Sequence, residues 1–252
     1  MTEAEQGKVL AVLAVDTGGT FTDVLYLDSG RLKTLKIPST PADPAEAVLA
    51  GSRALVKAGA SYLLLHGSTV ATNALLERKG ARVLLVTNEG FQDIIEIGRQ
   101  NRPQLYALVG HRLPPLVARG DRIGIRGRLG PGGEEIEPLD QAELDALSQQ
   151  TTGAEALAVV LLHSYANPEH ERRVAKALAG SGVPVSVSAE LLPEYREYER
   201  TSTTVVNAYV APLMSRYLTR IEAESAADRV RIMGSNGGAF PVARAIREPV
   251  HT

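Results

Sequence analysis

The stretch VDTGGTFTDV, residues 15–24, joins two runs of apolar residues through a short polar segment. Upstream, residues 8–16 are branched and almost wholly apolar, which predicts a buried strand. Residues 21–28 and 31–38 alternate apolar with polar positions and are separated by Asp-Ser-Gly, a common hairpin signal. Three strands joined by tight turns are therefore predicted to open the chain, with residues 17–20 as the first turn.

The first turn has the composition of an anion-binding loop. Gly18 and Gly19 let the backbone approach a ligand closely and direct N–H groups toward an anion. The threonines whose hydroxyl groups can donate to phosphate oxygens are Thr17, Thr20 and Thr22. The alternative is a glycine-rich turn whose polar side chains only satisfy the local backbone. The turn is not a Walker loop, because no lysine follows, and it is not a dinucleotide fingerprint, because its glycines are adjacent and a strand follows.

Two aspartates flank this turn. Asp16 would repel a bare phosphate, so its presence favours a divalent cation, or the water shell of one, between carboxylate and phosphate. Asp23 can serve the same metal or position a water molecule. The pattern therefore predicts a phosphate and metal site, with Asp16 as the metal-binding carboxylate.

Residues 43–59 predict the first helix. Asp43 is a suitable N-cap, Pro44 suits the first helical position, Glu46 completes a capping box, and Gly59 can end the helix. These signals place a helix directly after the three opening strands.

Strand–loop–helix units then follow over 62–80 and 81–98, which predicts a mixed sheet with parallel strands flanked by helices. The alternation resumes after Asp140, an N-cap candidate with Glu143 at the capping-box position. A long amphipathic helix is predicted over 201–225. Between these parts, residues 99–139 are rich in Pro, Gly and Arg and are interpreted as an insertion with one hairpin.

Composition excludes several classes of function. The formal net charge is −2, which gives no basic face for nucleic acid. The chain has no cysteine, which removes disulfides, thiol nucleophiles and cysteine-bound zinc. The start of the sequence is acidic and polar, and no apolar run is long enough to cross a bilayer, so a cytoplasmic protein without a membrane partner is expected. No serine-hydrolase elbow or zinc-hydrolase motif is present.

Several segments together resemble one known family, the hydantoinase A / 5-oxoprolinase family, within the actin, heat-shock ATPase and sugar-kinase superfamily. They are DTGGTFTD, HGSTVATNALLERKGARVLLVTNEGFQDIIEIGRQNRPQLY, HSYANPEHERRV, LLPEYREYERTSTTVVNAY and MGSNGG. The resemblance runs over residues 15–236 and implies an α/β, ribonuclease H-like ATPase lobe with a mixed β-sheet flanked by helices. It implies domains at 1–197 and 198–252, the second being the start of a catalytic domain.

The resemblance also implies the family's chemistry. This is opening of a cyclic amide, with ATP and Mg²⁺ as cofactors, or activation of a ketone for carboxylation in relatives. The implied partners are a small cyclic amide or ketone, a hydantoinase B-type subunit or domain, and further copies in an oligomer. The phosphate-binding role falls on residues 16–20 and on Thr22, with Asp16 and Asp23 as the catalytic carboxylates.

The sequence departs from the family pattern at two points. A second Asp-x-Gly-Gly-Thr-like motif is expected some tens of residues after residue 238, and the sequence stops at Thr252. We therefore expect the N-terminal portion of a larger subunit, which would be inactive by itself. Gly234 stands where the family often has glutamine.

Further candidate site residues each have a purely structural alternative. A second loop at the nucleotide is formed by Ser235, Asn236, Gly237 and Gly238, which can equally be a plain turn. Weaker substrate contacts are His66, Ser68, Thr69, Arg99 and Arg102. Against these, a lone histidine often bonds to backbone, Ser68 or Thr69 can cap a helix, and the two arginines can be ordinary surface residues. A non-catalytic ATPase-like interaction or regulatory module is the alternative to the enzyme.

Overall fold

The computed structural model of the protein describes residues 11–101, 106 and 113–252. The described chain forms two compact units. The first contains the residues up to 79 together with 213–252, and the second contains 80–212. The predicted domain division between 197 and 198 follows the family rather than these units and stays a prediction. Residues 8–10 of the first predicted strand lie outside the described residues, and so does Arg102.

The strands are, in chain order, β1 (Ala11–Thr17), β2 (Phe21–Asp28), β3 (Arg31–Pro38), β4 (Tyr62–Ser68), β5 (Val83–Asn88), β6 (Arg122–Ile125), β7 (Arg128–Leu129), β8 (Glu135–Glu137), β9 (Ala156–Val160), β10 (Val185–Val187), β11 (Arg229–Met233) and β12 (Ala239–Pro241). The α-helices are α1 (Pro44–Leu55), α2 (Val70–Leu76), α3 (Ile94–Ile97), α4 (Gln141–Gln150), α5 (Glu169–Leu178), α6 (Ser188–Leu191), α7 (Glu197–Glu224) and α8 (Val242–Arg247).

The first unit contains a six-stranded mixed sheet in the order β12-β11-β4-β1-β2-β3. Strands β1, β4 and β11 run parallel, and Thr17 aligns with Ser68 while His66 aligns with Ile232. The carboxyl ends of these three strands therefore meet at one edge of the sheet. The predicted opening of three strands is confirmed, because β1 and β2 pair antiparallel, as do β2 and β3.

Local sequence explains the second hairpin and part of the first helix. Ser29 and Gly30 both have positive φ, 49° and 77°, as the tight turn between β2 and β3 requires. The predicted side-chain cap by Asp43 is wrong, because its carboxylate pairs with Arg220 and makes no cap hydrogen bond. Instead, Thr40 Oγ1 accepts from the amide of Ala47 at 3.2 Å.

The remaining end signals of the first helix also differ from expectation. Glu46 does not close a capping box, because its carboxylate binds Arg53 and Arg220. The helix ends at Leu55, four residues before Gly59, which lies in the following turn with a φ of 75°. The carboxylates of Asp43 and Glu46 are therefore used in ion pairs, with Arg220 and Arg53, and not in the local capping that the sequence predicts.

The second unit contains a four-stranded sheet, β10-β9-β5-β6, in which every neighbouring pair is parallel. Strands β5 and β9 are fully buried along their length. The apolar core includes Leu84, Leu147, Leu157, Val174 and Leu178, which come from this sheet and from α4 and α5. Together with the first sheet, this arrangement confirms the predicted mixed α/β architecture.

The segment expected as an insertion, 99–139, is partly built into the second sheet. Strand β6 pairs parallel with β5 as an edge strand, whereas β7 and β8 form the expected antiparallel hairpin. The N-cap at Asp140 is confirmed, since its carboxylate accepts from two amides of α4. Glu143 does not complete the predicted capping box, because its carboxylate accepts from the amide and the Nε of Arg126.

The predicted long helix begins four residues earlier than expected and contains Pro212. Among the helices of the described ranges, none combines the length and the apolar composition needed to cross a bilayer.

We expect Gly51→Ala to destabilise the first unit, although alanine normally favours a helix. A Cβ atom at residue 51 of α1 would lie 2.6 Å from Val24 Cγ2 of β2, and β-branched valine has few alternative rotamers. Such overpacking costs about 1–3 kcal/mol, which exceeds the roughly 0.5–1 kcal/mol gain in helix propensity. Urea unfolding followed by circular dichroism measures the change. Gly120→Ala is the control, because nothing lies within 4 Å of its added Cβ, and equal stability of both variants would contradict this packing.

Candidate functional site

A cavity of about 410 Å³ lies beside the turn that follows β1. Its wall is formed by that turn, by the segment between β3 and α1, and by α2. The residues that contribute polar groups to it are Thr17, Gly18, Gly19, Ser39, Thr40, Thr69, Asn73, Glu77 and Lys79. All of them belong to the first unit. This volume falls within the usual range for a small-molecule site.

The turn holds two backbone donors available for an anion. The amide of Gly18 donates to Phe21 O at 3.0 Å, and Thr20 O accepts from the amide of Ser39 at 2.9 Å, so the turn is fixed at both sides. Within the described residues, the amides of Gly19 and Thr20 donate no hydrogen bond. Unpaired adjacent amides of this kind are the elements of an anion-binding nest.

The threonines of the motif have different roles. Thr17 is 2% exposed and lines the cavity. Its Oγ1 completes no hydrogen bond in the described part of the chain, although it lies near enough to the Tyr217 hydroxyl to oppose the rise of the Tyr217 pKa on burial. Thr22 is buried, and its Oγ1 is 2.9 Å from Ser39 Oγ, which donates to Gly18 O at 2.8 Å. Thr22 therefore stabilises the turn through Ser39 and does not line the cavity. The Thr17 hydroxyl remains available to a ligand. Thr20 is exposed at the tip of the turn.

Strand register places the two aspartates together, on the opposite face from these threonines. Asp16 and Asp23 are direct partners across β1 and β2, and Thr17 pairs with Thr22 in the next position. Asp16 is exposed, and a Cβ at Gly67 would lie 3.2 Å from its Oδ1, so the glycine leaves that carboxylate room. Asp23 forms a salt bridge with Lys36 at 2.9 Å. Neither aspartate lines the cavity, and among the described residues no group of three metal-binding side chains exists.

The turn between β4 and α2 is bound directly to the first turn. Thr69 donates to Thr17 O through its amide at 3.1 Å and through its hydroxyl at 3.3 Å. Ser68 Oγ accepts from the amide of Val70, which satisfies a backbone donor at the start of α2. Ser68 thus has a local structural role, although the N-cap of α2 is Thr69, which makes no side-chain cap hydrogen bond. Thr69 both lines the cavity and positions Thr17.

His66 lies in the core and offers no free nitrogen to a substrate. It is fully buried, with Nδ1 3.0 Å from Val15 O and Nε2 2.6 Å from Tyr217 Oη. Burial lowers the pKa of His66 to about 4, so the ring is neutral near pH 7. Burial also raises the pKa of Tyr217 to about 12. The expected substrate contact at His66 is therefore replaced by a structural one, which ties β1 and β4 to the end of α7.

The loop 235–238 lies at the same sheet edge, since it follows β11, but it does not line the cavity. Its polar groups are largely satisfied locally: Ser235 donates to His251 O at 2.9 Å, and Asn236 Oδ1 accepts from the amide of Gly238 at 3.0 Å. A Cβ at Gly234 would lie 2.3 Å from the ring of Phe240, which explains why glycine stands there. In this structure the loop is a well-formed turn between β11 and β12.

The two arginines predicted as a substrate clamp are not assembled as one. Arg99 belongs to the second unit and forms an ion pair with Glu199 at 2.6 Å. Arg102 lies outside the described residues. Of the predicted site residues, the structure therefore brings Ser68 and Thr69 to the first turn. Arg99 does not join them, and its ion-pair partner among the described residues is Glu199.

Five polar residues of the cavity escaped the sequence interpretation, namely Ser39, Thr40, Asn73, Glu77 and Lys79. Asn73 Nδ2 donates to Thr69 Oγ1 at 3.3 Å and is the atom closest to a Cβ built on Gly19. The sequence contains only a weak indication that these residues belong to a site. Ser39 and Thr40 follow a predicted strand, and Asn73 is one helical turn after Thr69. Such positions read equally well as ordinary caps.

Comparison with known proteins identifies the family. The model of the hydantoinase/oxoprolinase N-terminal region matches residues 12–182, and that of hydantoinase/oxoprolinase matches residues 200–252. The chain belongs to the hydantoinase/oxoprolinase family.

Members of this family with assigned activities resemble the chain along most of its length. Caprolactamase subunit alpha of Pseudomonas jessenii is 38% identical over 255 residues, which are 91% of this chain and 36% of that protein. The 5-oxoprolinase 1 of Arabidopsis thaliana is 31% identical over 273 residues, covering 91% of this chain and 21% of the relative. The chain therefore spans about a third or less of these relatives.

Solved structures agree with the fold. One solved structure is that of nucleotide-free acetone carboxylase, an enzyme of ATP-dependent acetone carboxylation. It superposes with a TM-score of 0.82 and is 28% identical, and the match covers 95% of this chain and 38% of that chain. The structure of the ATP-dependent caprolactamase from Pseudomonas jessenii superposes with a TM-score of 0.77 and is 35% identical. This match covers 92% of this chain and 36% of that chain. The expected fold class is confirmed.

We expect Thr17→Val and Thr22→Val to change stability in opposite directions. Valine at position 17 removes a buried hydroxyl that has no partner, which relieves about 1 kcal/mol of desolvation, whereas valine at position 22 removes a bonded hydroxyl and costs about 1 kcal/mol. Chemical unfolding of both variants beside the unmodified chain measures this. Loss of stability at position 17 equal to that at position 22 would show that Thr17 has a partner in the folded chain.

Stability should fall as the pH decreases from about 6.5 towards 4. Burial keeps His66 neutral, so between pH 6.5 and about pH 4 the unfolded chain binds a proton at this residue and the folded chain does not. The contribution of neutral His66 to the free energy of unfolding is therefore complete above pH 6.5 and is lost on acidification. The full difference corresponds to roughly 3 kcal/mol. Unfolding free energies at pH 7.0, 6.0 and 5.0 should show a smaller slope for His66→Gln than for the unmodified chain. An unchanged slope in His66→Gln would place the titration elsewhere.

Proposed function

We propose that this chain supplies the phosphate-binding part of an ATP-dependent cyclic-amide hydrolase of the hydantoinase/5-oxoprolinase type. One observation carries the proposal. The turn after β1 presents two unpaired amides and a buried, unpaired hydroxyl beside a cavity. The Thr17 hydroxyl is buried, and a buried donor without a partner is costly unless a ligand completes it, whereas the exposed amides of Gly19 and Thr20 can exchange water for an anion. The ATP dependence of the acetone carboxylase and caprolactamase relatives supports a nucleotide phosphate as that ligand.

The geometry of the turn supports the following nucleotide contacts in the proposal. Gly19 and Thr20 donate through their amides, Thr17 donates through its hydroxyl, and Gly18 keeps the backbone close to the ligand. Thr22 acts indirectly, by fixing the turn through Ser39. The loop Ser235, Asn236, Gly237 and Gly238 is a second nucleotide contact in this proposal, because it follows β11 at the same sheet edge.

Magnesium fits the donor set in one specific way. Protein sites for Mg²⁺ commonly provide one or two carboxylates, while phosphate oxygens and water complete the octahedron. Asp16 offers an exposed carboxylate without a protein partner in the described ranges, and Asp23 lies directly across the strand pair, neutralised by Lys36. Both aspartates lie outside the cavity, on the opposite face of the strand pair from Thr17, so the proposal requires the phosphates to extend past the turn. There Asp16 would hold the ion and Asp23 would orient a water molecule. When bound, the ion neutralises phosphate charge.

The proposed chemistry suits these groups. An amide carbonyl is a weak electrophile, and transfer of the γ-phosphoryl group to its oxygen makes the carbon more reactive toward water. Water then adds to that carbon and the C–N bond breaks, which leaves an acyl phosphate and a free amine. A second water hydrolyses the acyl phosphate, so that one lactam, one ATP and two waters give an amino carboxylate, ADP and phosphate. Phosphoryl transfer depends mainly on positioning and charge neutralisation, which amides, hydroxyl groups and a metal-bound carboxylate provide.

The complete activity requires more protein than this chain in our proposal. Caprolactamase alpha and the acetone carboxylase relatives are named as subunits, which supports a B-type partner subunit in an oligomeric enzyme. A cytoplasmic location belongs to the same proposal and rests on the sequence alone. Thr69 and Ser68 border the site as the nearest candidates for substrate contact, and Arg99 keeps that role only if it leaves Glu199. A second candidate is ketone activation for carboxylation, which the acetone carboxylase superposition favours.

Nucleotide binding is the first test. Calorimetric titration of the chain with ADP and with a non-hydrolysable ATP analogue, each with Mg²⁺, should give binding that Asp16→Asn weakens at least about 10-fold, the equivalent of 1.4 kcal/mol. Asp28→Asn is the matched control, because this aspartate is exposed at the opposite end of β2. Equal weakening by both variants would point to net charge, and unchanged affinity in Asp16→Asn would remove the carboxylate from the site.

The reaction class is tested separately with the B-type partner added. Turnover of caprolactam, 5-oxoproline or a hydantoin with release of ADP and a linear amino acid supports the hydrolase. Bicarbonate-dependent consumption of a ketone supports the second candidate instead. If the chain binds no nucleotide and adds nothing to either reaction, it is a non-catalytic interaction module.

A further inference from the structure

The second unit has its own cavity, of about 390 Å³, at the carboxyl end of its parallel sheet. Its wall contains Phe91, which follows β5, and Leu162 and His163, which follow β9. In the strand order β10-β9-β5-β6, the chain proceeds from β5 to one side through β6 and returns to the other side with β9. The crevice between β9 and β5 is thus a topological switch point, the place where parallel α/β sheets bind ligands.

The loops around this cavity are fixed by buried polar groups. Asn88, at the end of β5, accepts from the amide of Leu162 at 2.7 Å and donates to Gly127 O at 2.6 Å. Glu171 is fully buried and accepts from the amide of Leu161 at 2.7 Å. Three separate loops are therefore held in one arrangement, as a preformed site requires.

Unusual backbone geometry concentrates at the same place. His163 lines the cavity with a φ of 58°, and Arg196, which directly precedes the cavity residue Glu197, has a φ of 82°. Gly98 combines a φ of 56° with a ψ of −145°, a region that essentially only glycine occupies. Strained residues of this kind cluster at ligand-binding sites.

Two opposite charges line the cavity without neutralising each other. Within the described residues, neither Arg128 nor Glu197 makes an ion pair, and Arg128 lies over the ring of Phe91 at 5.4 Å. Arg200, one turn after Glu197 in α7, is buried and donates to Ser164 Oγ at 2.7 Å and to Leu161 O at 2.5 Å. Burial lowers the pKa of Arg200 and the Glu197 charge partly opposes that lowering, but the two side chains form no ion pair. Between the charges, the wall is apolar and aromatic, with Ile94, Ile97 and Tyr198.

We propose that this cavity binds a small zwitterionic amino carboxylate with a hydrocarbon body. Its carboxylate would pair with Arg128, since guanidinium binds carboxylates bidentately, and its ammonium group would pair with Glu197. The hydrocarbon part would lie against Phe91 and the neighbouring isoleucines. A linear amino acid is also the product of opening a lactam. The proposal nevertheless rests only on the residues of this cavity, which belong to the second unit, and not on the turn after β1.

Calorimetry on the unmodified chain tests the ligand class with four probes. They are leucine, 6-aminohexanoate, hexanoate without an ammonium group, and hexylamine without a carboxylate. We expect one of the two amino acids to bind at least about 10-fold more tightly than either single-charge probe, because both charged contacts contribute. Preference for 6-aminohexanoate identifies a ring-opened lactam, and preference for leucine identifies an α-amino acid. Equal affinity for all four probes, or no heat at millimolar concentration, overturns the proposal.

Two variants assign the contacts. Arg128→Gln should reduce amino acid affinity to that of hexylamine, and Glu197→Gln should reduce it to that of hexanoate while leaving hexanoate binding unchanged. Arg229→Gln and Glu190→Gln are exposed controls, and circular dichroism melting verifies that each variant is folded. Amino acid binding that survives both cavity variants contradicts the site. Asp16→Asn should leave amino acid binding unchanged. The amino acid experiment can therefore fail or succeed independently of the nucleotide proposal.

Discussion

The strand register between β1 and β2 is the constraint on which the candidate nucleotide site depends. Side chains alternate between the two faces of a strand, so pairing Asp16 with Asp23 and Thr17 with Thr22 sorts carboxylates to one face and hydroxyl groups to the other. A shift by one residue would exchange the two sets. The register is in turn fixed by the buried apolar positions of β1 and by its parallel pairing with β4.

The two units apply one principle to different chemistry. In the first, the carboxyl ends of parallel strands β1 and β4 carry short polar side chains and unpaired amides, which suit an anion. In the second, the ends of β5 and β9 carry aromatic and apolar groups with two separated charges, which suit a small molecule with both signs of charge. In each case hydrogen bonds from buried residues hold the loops before any ligand arrives: Thr22 and Ser39 in one, Asn88 and Glu171 in the other.

Sequence patterns predicted the parts of this structure that depend on local chemistry. The alternation in β2 and β3 and the Asp140 cap are set by neighbouring residues, and they were predicted correctly. Asp43 fails as a cap because Arg220, far away in sequence, binds its carboxylate. His66 was expected at a site but lies in the core, because only the packing of α7 brings Tyr217 to it. The second cavity could not be predicted, since its walls come from segments that are distant along the chain.

The central claim is that the unpaired amides after β1 bind a nucleotide phosphate. Amide NMR of the isotope-labelled chain, titrated with a Mg²⁺ complex of a non-hydrolysable ATP analogue, tests it most directly. The account predicts that the resonances of Gly19 and Thr20 move most and gain protection from solvent exchange, while that of Gly18, already bonded to Phe21 O, gains none. Saturable binding that leaves the amides of Gly19 and Thr20 unchanged would contradict it.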